Sequence, residues 1–439
     1  MRRDETIFAL ASGAGRAGVA VVRVSGPDTH LCLTSLTGKK LPPPRRAVLR
    51  PVLTPEGALI DRALILWFPG PASFTGEDTV EFHLHGGRAL VQALLGALGS
   101  FPGVRLAEAG EFTRRAVLNG KLDLTQAEAI ADLVDAETEA QRQQALRQYD
   151  GALGALYDGW RSDLSRALAW VEAAIDFSDE ELPEEVIAEA RRMTDKLHGE
   201  IVQHLDDARR GELVREGLTV AIVGPPNAGK SSLLNALAGR DVAIVSETAG
   251  TTRDIIDVRL NLGGYAVVVA DTAGLREAAD AIEAEGVRRA LARAESADLV
   301  LLLQDGSAPA TALNLPDKLV NKPVLYVWNK TDLAWPESHD GLKLSTQSGE
   351  GLDAVIAAIT EAAKQQLDNQ SEAPVLTRAR HREALVEAVA ALERAHGAEA
   401  LELFAEDLRL AVRAIGRITG RVDVEDLLDV IFRDFCIGK

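Results

Sequence analysis

The sequence predicts a multidomain protein: an α+β unit at the N-terminus, an all-α unit that is discontinuous along the chain, and an α/β unit inserted into it. Three observations predict it. Short β-branched runs ended by Gly and Pro fill the chain up to Gly120. Helical spacing of apolar residues takes over near Lys121 and returns after Leu376. Between Leu218 and Gln366, short apolar strands alternate with helices, the pattern of a parallel sheet. A length of 439 residues suits two to four such domains.

In the first unit, Val19–Val24, Ala63–Phe68 and Thr79–Leu84 read as strands, and Arg88–Leu98 as a helix. Thr125-Gln126-Ala127-Glu128 reads as a capping box. Leu124, Ala127, Ile130, Leu133 and Val134 then recur at helical spacing, and helix continues to about Arg215. In the third unit the strands are Leu218–Val223, Tyr265–Ala270, Asp298–Leu303 and Val324–Trp328. The expected divisions are 1–120, 121–216, 217–367 and 368–439, the second and fourth forming one helical domain around the insert.

Charged residues make up 26% and hydrophobic residues 46%, which excludes global disorder. A net charge of −18 excludes a protein that coats nucleic acid with its whole surface, though not one with a local basic patch. Two cysteines, Cys32 and Cys436, exclude a disulfide scaffold and a four-cysteine zinc site. No apolar run approaches the ~18 residues of a membrane span. Asp4, Glu5 and Arg16 spoil a signal-peptide core, so a soluble, cytoplasmic protein is expected.

Gly224-Pro225-Pro226-Asn227-Ala228-Gly229-Lys230-Ser231 is a P-loop between an apolar strand and a helix. Its glycines let backbone N–H groups curl round phosphates, Lys230 supplies a cation to the terminal phosphates, and the Ser231 hydroxyl can ligate Mg²⁺. Asp271-Thr272-Ala273-Gly274 follows a strand. Asp271 can hold Mg²⁺ through water, and Gly274 leaves its N–H room to approach a γ-phosphate.

Asn329-Lys330-Thr331-Asp332 also follows a strand. Asp332 can accept from the imino and amino groups of guanine together, a pair that adenine does not offer, so GTP rather than ATP is expected. The Lys330 stem can pack along the base, and a backbone N–H of Ser345-Thr346 can meet the guanine carbonyl. These motifs make the third unit a Ras-like P-loop GTPase domain. The loop from Glu247 to Asp254 has the place of a switch, with Thr251 or Thr252 offering a hydroxyl to Mg²⁺. Where Ras-like proteins carry a water-orienting Gln, this chain has Leu275. Glu277 and Glu283 are nearby carboxylates, Arg253 and Arg276 nearby cations, and Asn227 offers an oxygen to a monovalent cation. The residues alone do not choose among them.

These motifs resemble the MnmE (TrmE) family of tRNA modification GTPases. The marks are Gly224 to Ser231, Ala249-Gly250-Thr251-Thr252-Arg253-Asp254, Asp271 to Glu277, and the end Phe435-Cys436-Ile437-Gly438-Lys439. The N-terminal part matches through Gly18–Gly26, Ser73–Asp78 and Asn119–Leu124, so the resemblance covers essentially the whole chain. Pro225-Pro226 departs from the Arg-Pro of the family and loses one backbone N–H.

The resemblance implies a tetrahydrofolate-binding, dimer-forming N-terminal domain, a helical domain and a K⁺-stimulated GTPase domain. It implies a homodimer that works with the FAD-containing partner MnmG (GidA) on the wobble uridine of certain tRNAs. It places a 5-formyltetrahydrofolate-type ligand on Arg23, Glu81, Lys121 and Lys439. From the residues alone, Arg23 and Glu81 are outward-facing strand positions. It selects K⁺ ligands at Asn227, Ser246, Thr248 and Thr251, and Glu283 to position water. Contacts to GTP or GDP then fall on Asn227, Ala228, Gly229, Lys230, Ser231 and Ser232, and on Ser246 through Thr252 including Glu247, Ala249 and Gly250. Asp271, Thr272, Ala273, Gly274, Asn329, Lys330, Asp332, Ser345 and Thr346 complete the set. Mg²⁺ falls to Ser231, Thr251, Thr252 and Asp271.

Cys436 is expected near the modification chemistry, and Cys32 as an ordinary core or surface residue. His83 and His85 lack a third metal ligand nearby. Arg45-Arg46 and Arg114-Arg115 are candidate RNA contacts. The rival reading is a ribosome-assembly GTPase switch on rRNA. Such proteins lack the folate-type domain and the Cys436-Ile437-Gly438-Lys439 end.

Overall fold

Strand β1 (Thr6–Leu10) is apolar at consecutive positions because both of its faces are covered. Phe8 joins the core under the helices Thr29–Thr37 and Arg88–Gly99, with Leu33, Leu36, Leu94 and Leu98. Ile7 and Ala9 face Phe112 on the other side. The structure, a computed structural model, describes residues 5–177, 184–207, 209–240, 242–244, 257–271, 291–308, 315–335, 340–367, 374–422, 425–433 and 435–438.

The chain forms two compact units: residues 1–131, 154–163 and 412–439, and residues 132–153 and 164–411. In the first, β2 (Ala17–Ser25), β3 (Val48–Leu53), β4 (Leu59–Phe68), β5 (Thr79–Gly86) and β6 (Val104–Leu106) join β1 in a six-stranded sheet of order β3-β4-β5-β2-β1-β6. All neighbours are antiparallel except β1 and β6. Val22, Val24, Val80, Phe82 and Leu84 alternate into the core, and Cys32 is fully buried there.

The helix Leu124–Asp135 corrects one reading. Its cap is Asp123, whose carboxylate accepts from Gln126 N (2.9 Å) while Gln126 Oε1 accepts from Asp123 N (3.1 Å). The capping box therefore opens at Asp123, not Thr125. The hydroxyl of Thr125 instead donates to Asp123 (2.6 Å). The C-terminal helix Glu425–Arg433 packs Leu428 and Phe432 on Leu124 and Ala127. Beyond it the chain docks on the same unit. Ile437 bridges Ala109, and Gly110 N donates to Cys436 O (3.3 Å). Gly110 sits at φ 66, and a Cβ there would meet Phe432 at 2.8 Å.

The second unit holds a six-stranded sheet of order β12-β11-β10-β7-β9-β8. Its strands are β7 (Leu218–Val223), β8 (Asp257–Leu262), β9 (Tyr265–Asp271), β10 (Leu299–Asp305), β11 (Val324–Asn329) and β12 (Leu342–Lys343). Only the β8–β9 pair is antiparallel. Leu218, Val220 and Ile222 face Leu233, Leu237, Val355 and Ile359. Ala221 and Val223 face Ala294, Ala297 and Leu319 on the other side. Burial on both faces is why these strands read as continuous apolar runs.

The chain leaves for this sheet and returns from it at adjacent points. Asp132 Oδ1 accepts from Arg215 Nε (3.0 Å), just before β7, and from Arg378 Nη2 (2.7 Å), just after the insert. A Cβ on Gly211 would meet Leu376 O at 2.1 Å. Arg382 ties the returning helix Ala379–Gly397 to Asp207 (2.6 Å) and Glu212 (2.9 Å).

Candidate guanine-nucleotide site

β7 ends in the loop 224–229, and the helix Lys230–Ala238 begins directly after it. Gly224 has no alternative, because a Cβ there would lie 2.1 Å from Leu303 O of the neighbouring β10. Asn227 (φ 61) and Gly229 (φ 96) are left-handed, which curls the loop around the start of the helix. This is the geometry that presents backbone N–H groups and a helix N-terminus to an anion. Lys230 Nζ lies over the loop and donates to Gly224 O and Pro225 O, both at 2.9 Å. Ser231 and Ser232 are exposed.

Asn329 stitches this loop to the next one. Its side chain is buried, with Nδ2 donating to Ala228 O (2.8 Å) and Oδ1 accepting from Thr346 N (3.0 Å). A Cβ on Gly229 would strike Asn329 Nδ2 at 2.2 Å, so the glycine permits the stitch. Ser345 N donates to Glu350 O (2.9 Å). Both N–H groups of Ser345-Thr346 are therefore engaged inside the protein. Donation from this pair to a guanine carbonyl requires one of them to change partner.

Lys330 has a left-handed backbone (φ 62) and pairs with Asp305 Oδ2 (2.6 Å). Burial would push the Asp305 carboxyl up, but Lys330 and Ser307 outweigh it and hold the carboxyl below its usual range. The sequence reading missed Asp305. Its signal was an acid at the end of an apolar strand, Leu299–Asp305, level with Asn329 on β11. Asp332 is exposed, two residues beyond Lys330 in the chain. Asp271 closes β9. Ser246, Glu247, Thr248, Ala249, Gly250, Thr251, Thr252, Arg253, Thr272, Ala273, Gly274, Leu275, Arg276, Glu277, Glu283 and Lys439 lie outside the described residues.

In the first unit, Arg23 and Glu81 are cross-strand partners on β2 and β5. Arg23 Nη2 meets Glu81 Oε1 at 2.9 Å, with only 21% and 18% of the two side chains exposed. The guanidinium lies 5.4 Å from the Phe74 ring centre and 5.6 Å from that of Phe112. They are a half-buried pair under aromatic cover, not the outward-facing residues expected from alternation. The loop 73–78 beside them is tied down, with Glu77 accepting from Ser25 (3.0 Å) and Arg115 (3.0 Å), and Thr75 O from Asn119 (2.7 Å). Lys121 is exposed, 3.4 Å from where a Cβ on Gly76 would stand. The tail reaches the same sheet, since a Cβ on Gly438 would meet Leu10 O at 2.1 Å. Cys436 is exposed.

Arg115 is not available to RNA, being 5% exposed and paired with Glu77 and Glu111. Arg114 pairs with Asp429 (2.8 Å). Arg45 donates to Ala72 O. His83 lies against Glu81 and His85 against Asp61. Among the described residues no group of three or more His, Cys, Asp or Glu forms a metal cluster. Among them, too, no helix is long and apolar enough to cross a membrane.

Residues 124–436 match the family described as the MnmE helical domain, and residues 6–121 match the GTP-binding protein TrmE N-terminus. The chain belongs to the MnmE family of tRNA modification GTPases. It is 59% identical to the tRNA modification GTPase MnmE of Parvibaculum lavamentivorans, over 99% of this chain and 100% of that one. It is 57% identical to the MnmE of Rhodospirillum rubrum, over 99% of each chain, and 55% identical to that of Paramagnetospirillum magneticum. As an MnmE-family protein with this P-loop domain, the chain is a GTP-hydrolysing enzyme that binds guanine nucleotide. Its fold is the multidomain one read from the sequence, with a TrmE N-terminal domain, a helical domain and a P-loop GTPase domain.

Proposed function

We propose that this chain is a K⁺-stimulated GTP hydrolase that drives 5-carboxymethylaminomethyl-type modification of the wobble uridine of certain tRNAs. It acts as a cytoplasmic homodimer with a FAD-containing partner of the MnmG type. The observation that carries this reading is that the family match extends over both the N-terminal and the helical parts of the chain. A ribosome-assembly switch needs neither. The proposed division is 1–120 for folate binding and dimerisation, 121–216 with 368–439 for the helical domain, and 217–367 for GTP hydrolysis.

The donor set offered to the cations is all oxygen. The Ser231 hydroxyl, the Asp271 carboxylate and hydroxyls of Thr251 and Thr252 suit Mg²⁺; the Asn227 carboxamide with Ser246, Thr248 and Thr251 suits K⁺. Bound there, these cations offset charge that develops on the phosphates. The protein's own groups do the rest. The curled loop holds the phosphates, Lys230 adds a fixed positive charge, and Asp332 reads the base. Glu283 orients the attacking water in place of the Gln that Leu275 replaces. The Arg23–Glu81 pair fits a folate-type ligand: Glu81 can read a pterin edge by paired hydrogen bonds, and Lys121 and Lys439 attract its carboxylates.

The test is GTP hydrolysis by the purified chain in KCl and in NaCl at equal ionic strength. At least about tenfold faster turnover in KCl is expected, the order of effect that a cation at the transferring phosphate supplies. Equal rates would remove the K⁺ assignment and move weight to a switch activated by an external partner.

A further inference from the structure

Asp305 is placed by interactions that leave its carboxylate no freedom. Oδ1 accepts from Ser307 N (2.9 Å) and from Ser307 Oγ (2.6 Å). Oδ2 accepts only from Lys330 Nζ among the described residues, at 2.6 Å. The Asp305 side chain is 11% exposed and that of Lys330 31%, so the acid is the more shielded of the two. The backbones are locked as well. Asp305 and Asn329 are partners in the parallel ladder, and Gly306 N donates to Asn329 O (2.8 Å). A Cβ on Gly306 would stand 2.9 Å from Asn329 O, which keeps this crossing tight.

A lysine stem is a poor platform for a base unless its end is held. The side chain has four rotatable bonds and carries about 2 kcal/mol of rotamer entropy. Lys330 starts from a left-handed backbone, which sets the direction of its Cβ, and ends on a carboxylate fixed by two other hydrogen bonds. The stem is thus tethered at both ends, two residues before Asp332 in the chain.

We propose that Asp305 is a positioning residue for guanine-nucleotide binding. It acts only through Lys330, holding the lysine stem extended as the surface on which the base rests. Asp305 itself touches no nucleotide. This rests on the reading of Lys330 as the residue that packs along the base, and the experiment separates the two.

The measurement is the affinity of the full chain for fluorescent mant-GDP in four proteins: wild type, Asp305→Asn, Lys330→Ala and the double variant. Asn keeps the size of the side chain and the acceptor for Ser307 but gives up the charge. Asp305→Asn is expected to weaken mant-GDP binding about tenfold, equivalent to about 1.4 kcal/mol. In the Lys330→Ala background it is expected to add nothing further. In steady-state hydrolysis the KM for GTP rises while kcat stays within about twofold, because the base contact is the same in ground and transition states. An unchanged affinity in Asp305→Asn overturns the proposal. So does an equal loss with and without Lys330, which would make Asp305 a structural residue of the sheet edge. If Lys330→Ala alone leaves mant-GDP binding intact, it is the base-packing reading of Lys330 that fails. Thermal melting of each variant, expected to lie within a few degrees of wild type, checks that the fold is retained.

Discussion

The two sheets of this protein place their candidate functional side chains in opposite ways. In the mostly parallel sheet of the second unit, the residues proposed to handle the nucleotide lie, among the described residues, where strands end. The P-loop follows β7, Asp271 closes β9, Asp305 closes β10, Asn329 closes β11, and Ser345-Thr346 follows β12. Parallel strands bring all their carboxyl ends to one edge, so loops far apart in sequence meet there. In the antiparallel sheet of the first unit, the Arg23–Glu81 pair lies mid-strand on a face, and its environment comes from Phe74 and Phe112. A loop motif is contiguous and carries glycines and fixed spacing. A face site is one residue from each strand, indistinguishable in sequence from ordinary alternation.

The difference makes the two sites fail differently. The face site depends on buried charge. Arg115 is 5% exposed, and it pairs with the fully buried Glu111 and with Glu77 of the loop beside Arg23. Arg115→Ala removes one partner of a buried ionic network and is expected to cost about 3 kcal/mol of stability. Mant-GDP affinity is expected to stay within about twofold. Chemical denaturation beside a nucleotide titration reads both, and a loss of GDP binding would break the contrast between the units.

The edge site depends on single recognition groups on a rigid frame. Asp332→Asn is expected to lower kcat/KM for GTP about 100-fold and to admit xanthosine triphosphate, whose 2-oxo group matches the new amide. An unchanged ratio of GTP to XTP turnover would remove Asp332 as the base reader.

The smallest effect concerns the segment leading into β7. Burial alone would raise the Glu212 carboxyl, but Arg209 and Arg382 outweigh it and hold it below the usual carboxylate range. A depressed carboxyl contributes stability that is complete above its unfolded pKa, about 4.3, and is lost as pH falls through the folded value. Glu212→Gln is expected to destabilise the protein by about 1 kcal/mol at pH 7, with the difference shrinking below about pH 4. Melting curves across that range check the sign. A deficit constant with pH would mean that Glu212 acts by packing alone.

Much of this architecture is legible in local pattern. Leu218–Val223 reads as a strand because it is a six-residue run rich in β-branched residues between Gly217 and Gly224, and the P-loop that follows is a contiguous signal. The hairpin between β8 and β9 was legible too, since Gly263-Gly264 takes φ 61 and 90 as a two-residue turn demands. Val258, Leu260 and Leu262 alternate with polar residues, the pattern of a strand with one buried face. Strands β3 and β6 lack a signal of their own: β6 is three residues long, and β3 is an edge strand carrying Pro51. The cap at Asp123 was missed for Thr125 because both are good caps. What decides between them is the backbone conformation where the helix begins, which composition does not carry.

The sequence by itself determined that a guanine nucleotide is bound and hydrolysed, because phosphate and base recognition are built from short contiguous loops. It also determined the order of α+β, helical and α/β segments, because periodicity is local. Only the tertiary structure decided that Asn329 stitches the P-loop to Thr346, that Asp305 holds Lys330, that Arg23 and Glu81 pair beneath two aromatic rings, and that the C-terminal residues dock beside Ala109. Each of these joins residues from separate strands or loops, and such contacts exist only once sheet register and helix packing have brought distant segments together.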